Sequence, residues 1–102
     1  MRLHDLAHSR AGDKGTTSDL TVVAYRAEHY EHLRRHLTAD KVRDHFADIV
    51  RGPVERFELP QLSALKFVLR EALDGGVTRS VNLDAHGKSF SSCLLELELP
   101  DP

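Results

Sequence analysis

The chain has 102 residues, 40% hydrophobic and 29% charged, the balance of one ordinary globular domain with no room for a second. Its 14 Lys and Arg stand against 16 Asp and Glu, a net charge of -2, so no basic excess exists to hold a nucleic-acid backbone. The apolar runs are a few residues long, against about 20 for a membrane span, and Met1-Arg2-Leu3-His4-Asp5 offers no signal-peptide core, so a cytoplasmic setting is expected.

The first strand is expected from Arg2 to His8. A second, from Ser18 to Tyr25, alternates Leu20, Val22 and Ala24 against Thr21, Val23 and Tyr25. The residues between them, Ser9 to Thr17, are turn formers, and a connection of that length is long for a hairpin. From Ala27 the period becomes helical, with Tyr30, Leu33 and Leu37 on one face. Thr38 then suits the N-cap of a second helix carrying Val42, Phe46 and Ile49, which Gly52-Pro53 ends.

A half-exposed third strand is expected over Val54 to Leu59. Pro60 suits a helix first turn, and Gln61 to Leu73 places Leu62, Leu65, Val68, Leu69, Ala72 and Leu73 on one stripe, stopped by Gly75-Gly76. Val77 to Asp84 reads as a fourth strand and Ala85 to Lys88 as a tight turn. Phe90 to Leu99 reads as a fifth strand, with Cys93, Leu95, Leu97 and Leu99 on one face. The expected order ββααβαββ describes a single α+β domain over residues 1–102. It is a two-layer sandwich, a mainly antiparallel five-stranded sheet with helices on one face.

The stretch Arg10-Ala11-Gly12-Asp13-Lys14-Gly15 is the first candidate site. Its glycines permit a nest of inward N–H groups, Arg10 can grip a carboxylate or phosphate with two parallel bonds, and Lys14 adds a point charge. Ser9 and Asp13 can contribute polar contacts. The competing reading is a structural clasp of Asp13 with Arg10 or Lys14. Gly75 and Gly76 read as a helix cap or a close backbone approach, with Arg79 as a second cation for the same ligand.

His32 and His36 stand four apart in one helix, a chelating spacing, but no further ligand set accompanies them, so no metal is expected. Cys93 lies on an apolar strand face and reads as a small core hydrophobe. No acid/base pair, activated nucleophile or cofactor motif stands at a catalytic spacing. Apolar groups on both faces of the second and fifth strands point to a homo-oligomer.

Leu6 to Gly15 resembles the opening of the AtuA-like ferredoxin-fold domain, in which a strand leads into Arg-Ser-Gly-Asp-Lys-Gly; here Ala11 replaces the Ser. Glu58-Leu59-Pro60 and Gly75-Gly76-Val77-Thr78-Arg79-Ser80 are similar to its second half, so the resemblance spans Leu3 to Leu99. Two departures, Thr16-Thr17-Ser18-Asp19 after the loop and Lys66 in the expected helix, fall where relatives tend to carry Asn and so bear on ligand identity. The resemblance implies the α+β fold and a link to acyclic terpene utilisation. It also implies an anionic acyl, acyl-CoA or phosphate-type small molecule as ligand. Relatives carry this domain fused to a larger one, so the alternative is an accessory subunit without its own ligand, docking on a separately encoded large chain.

Overall fold

The computed structural model describes residues 1–14, 17–47, 50, 52–70 and 89–102. β1 (Ala7–Lys14) and β2 (Thr17–Ala24) form a hairpin, followed by helices α1 (Ala27–His36) and α2 (Ala39–His45). β3 (Val54–Leu59), a 3-10 turn (Pro60–Leu62), β4 (Ala64–Leu69) and α3 (Ser89–Leu94) complete the described elements. The sheet is four-stranded, ordered β1-β2-β4-β3, with every neighbouring pair antiparallel.

Several expectations hold. β2 alternates buried and half-buried along its length, with Leu20, Val22 and Ala24 inward. Tyr30 and Leu33 are the buried residues of α1. Thr38 caps α2, its Oγ1 accepting the Lys41 N–H at 3.1 Å. β3 occupies the expected span and is half-exposed. Tyr30, Leu33, Val42 and Leu94 from the helices join Leu20, Val22, Leu65, Phe67 and Leu69 in one core. The helices therefore share one face of the sheet, as expected of a two-layer α+β domain.

Four expectations do not hold. The opening segment is not a strand: Leu3–Asp5 is a 3-10 turn and β1 begins only at Ala7. Leu3 and Leu6 are both buried, and a spacing of three brings side chains together on a turn, not on a strand. Nor is Ser9–Thr17 a long loop, because β1 runs to Lys14, which pairs with Thr17 and leaves two residues between the strands. Pairing with an eight-residue partner overrides the weak β propensity of Ala11 and Gly12.

The expected helix from Gln61 is the largest departure. Ser63 adopts a left-handed φ of 51° straight after the Pro60–Leu62 turn, and the chain leaves extended as β4, between β2 and β3. Leu65, Phe67 and Leu69 are fully buried while Lys66 and Val68 are half-buried, a period of two inside the leucine stripe. Finally, the expected fifth strand opens as α3 and only its end is extended, where Glu98 bridges Arg2. Leu94 and Leu97 are buried three apart, as a helical turn places them. The described sheet thus has four strands in the order ββααββα. The expected strand Val77–Asp84, the turn at 85–88 and the Gly75–Gly76 stop lie outside the described residues.

Candidate functional site

The register of the sheet assembles the candidate site from four strands. Arg10 pairs with Thr21, Thr21 with Lys66 and Lys66 with Phe57, so these residues form one row across the sheet. Alternation puts this row on the face opposite Leu20, Val22, Leu65 and Phe67, away from the helices. Arg10 is exposed and Thr21 and Lys66 are half-buried, while Phe57 is exposed by 46%. Arg10 and Lys66 stand two strand spacings apart, roughly 10 Å between Cα atoms, with the Thr21 hydroxyl between them. Neither cation is ion-paired among the described residues.

The neighbouring rows frame this cationic one. On one side His8, Val23, Ala64 and Leu59 make a row without Lys, Arg, Asp or Glu, and His8 stacks on exposed Tyr25 with ring centroids 5.9 Å apart. On the other side Gly12, Asp19, Val68 and Glu55 follow in register. Two long cations over a central hydroxyl can clasp one carboxylate or phosphate group by charge-assisted hydrogen bonds.

The structure redistributes the residues singled out in the sequence. Arg10 and Gly12 lie on the outer face, whereas Ser9, opposite Val22, lies on the helix side, its buried Oγ without a hydrogen-bond partner among the described residues. Asp13 and Lys14 end β1, in register with Ser18 and Thr17. Gly15, Gly75, Gly76 and Arg79 lie outside the described residues.

Of the nest expected over Arg10–Gly15, the described part, Arg10–Lys14, takes another form. These residues are ladder-paired, and successive N–H groups of a strand point in opposite directions. Gly12 does not take a left-handed φ; its missing side chain instead makes room for Asp19. Thr21 carries no ligand signal in the sequence, and Lys66 enters there only through the resemblance, as a departure bearing on ligand identity. Reading Ala64 to Leu69 as period two would have placed Lys66 on the polar face.

Other groups are committed elsewhere. His45 donates from Nε2 to the Cys93 carbonyl at 2.7 Å, leaving the thiol 3.7 Å from that nitrogen. Burial pushes the Cys93 thiol up, with the nearby Glu96 charge adding to it, so this is not an activated thiolate. Cys93 packs half-buried against the core. His32 donates to the Pro100 carbonyl at 2.7 Å and its ring lies 4.5 Å from that of His36.

Because Ser89–Leu94 is helical, the apolar case for a subunit contact narrows, among the described residues, to Val23 and Tyr25 of the second strand and its flank. No described helix is long and apolar enough to cross a membrane.

No curated protein and no solved structure matches the chain. The family model of the AtuA ferredoxin-like domain matches residues 1–100. The chain therefore belongs to that family.

Proposed function

We propose that the domain is a small binding or assembly module that recognises an anionic small molecule of acyl, acyl-CoA or phosphate type on the outer face of its sheet. One observation carries this: Arg10, exposed, and Lys66, half-buried, flank Thr21 in a single row, unpaired among the described residues. The ladder fixes the backbone positions of the two cations, so an anion has only their side chains to order on binding. The exposed Phe57 in the same row and Val23 and Leu59 in the row beside it suit an apolar portion of such a ligand. Resemblance to domains of acyclic terpene utilisation supports terpenoid or related acids as its source, in the cytoplasm.

Calorimetric titration of the folded chain with butyrate, butyryl-CoA and inorganic phosphate tests the reading. At least one should bind. Arg10→Ala and Lys66→Ala should each weaken it by about 1.5–3 kcal/mol, the range of a charge-assisted hydrogen bond. Leu62→Ala, at an exposed site on the 3-10 turn, should leave it unchanged. Absence of binding by every probe, or equal affinity in the two cation variants and wild type, contradicts the proposal. Co-purification of a larger partner by a chain that binds none of the probes would instead support an accessory subunit.

A further inference from the structure

The cation row has an acidic neighbour that the clasp of an anion does not explain. Asp19 lies two residues from Thr21 along β2, on the same face and opposite Gly12. A Cβ on Gly12 would stand 3.2 Å from Asp19 Oδ1 and 3.6 Å from Oδ2. The carboxylate therefore leans toward β1 over the bare glycine, beside the position of Arg10 in the next row. Asp19 has no hydrogen-bond or ion-pair partner among the described residues. Glu55, the other acid of its row, is held by Arg70 at 2.7 and 2.9 Å.

A free carboxylate next to an anion site repels a plain anion. It becomes favourable when the ligand also brings a donor, since an ionised carboxylate only accepts. Two residues along a strand span roughly 6.8 Å. Allowing about 2.8 Å for a hydrogen bond to the carboxylate leaves about 4 Å between the ligand's anionic group and its donor. That is the reach of a hydroxyl two carbons from a carboxylate, and the absent Gly12 side chain leaves the space for it.

We infer that Asp19 determines specificity, selecting an anion that bears a hydroxyl a few bonds from its charged group, such as a 3-hydroxy acid. The inference rests on the anion site proposed above. Arg10, Lys66 and Thr21 hold the anionic group, and Asp19 accepts from the hydroxyl above Gly12.

Two-dimensional NMR titration with butyrate and 3-hydroxybutyrate tests this, because it reads weak binding residue by residue. Wild type should bind 3-hydroxybutyrate about tenfold more tightly than butyrate, the low end of a charge-assisted hydrogen bond. Asp19→Ala should bind the two equally and hold butyrate more tightly than wild type does. Asp19→Asn, which keeps a neutral acceptor, should retain part of the preference. Equal affinities in wild type, or a preference that survives in Asp19→Ala, overturn the inference and leave the anion site standing. Binding of neither acid, nor of inorganic phosphate or butyryl-CoA, overturns both.

Discussion

Gly52 and His36 show how single residues respond to what surrounds them. A Cβ at Gly52 would lie 2.7 Å from the Arg70 carbonyl oxygen and 3.0 Å from its carbon, and the Gly52 N–H bonds that same oxygen at 3.1 Å. The clash is with backbone, which cannot swing aside as a side chain can. Gly52→Ala should therefore cost about 1–3 kcal/mol, the usual penalty of overpacking. Urea unfolding measures it, and a change within about 0.5 kcal/mol would contradict the close approach.

His36 is held below its ordinary value near 6.5 by desolvation, then by the charges of His32, Lys41 and Arg35. A lowered histidine is neutral in the fold and protonates sooner when unfolded. Its contribution is thus intact above pH 6.5 and is lost as the pH falls through that value. Replacing it in His36→Gln should flatten the loss of stability just below that pH. Glu31, lowered by the Arg34 hydrogen bond, acts in the same sense at lower pH, present above its ordinary 4.5 and lost beneath it. A wild-type stability that rises on acidification from pH 7 to 5.5 would contradict the His36 account.

At the scale of elements, β4 separates what is local from what is not. α1, α2 and β2 follow from patterns contained in their own residues, and the Thr38 cap from one side chain and the turn beside it. Leu62, Leu65, Val68 and Leu69 fit a helical stripe, yet Leu65, Phe67 and Leu69 equally fit a strand. The choice is made by β2 and β3, which lie on either side and supply the ladder. The same stabilisation by distant partners is invisible in residues 89–99, where Leu94 packs as helix while Glu98 bridges Arg2.

Alanine substitution distinguishes the two conformations of this stretch. Phe67→Ala should cost about 3–5 kcal/mol, as for a fully buried aromatic, while Leu62→Ala, exposed by 62%, should change stability by about 0.5 kcal/mol or less. Comparable losses at both positions would indicate the helical stripe instead. Thr38→Ala should cost about 1 kcal/mol as a lost N-cap, read from the same unfolding curves.

Across the whole molecule, the division of labour lies between the two faces of one sheet. The helix-side face builds the core, while the outer face carries Arg10, Thr21, Lys66 and Asp19 on three strands that meet only when the register forms. Arg10 is recognisable in the sequence because a guanidinium beside glycines suggests an anion site. Its partners are not, because Lys66 lies 56 positions further along the chain and joins it through β2. Arg56, on the helix side of β3, donates to the Arg34 carbonyl at 2.6 Å and so fastens the edge of the sheet to α1. The outer row therefore rests on a sheet that is braced from behind.

The most direct measurement of the central claim is a 15N-resolved NMR titration of the wild-type chain with butyryl-CoA, butyrate and phosphate. The account predicts that the amide shifts induced by the tightest of these centre on Arg10, Thr21 and Lys66, and that Arg10→Ala abolishes the pattern at the same concentration. Shifts confined to the cleft of about 380 Å³ lined by Arg43, Asp44, Ala47, Val50, Gly52 and Pro53, or no shifts with any of the three, would contradict it.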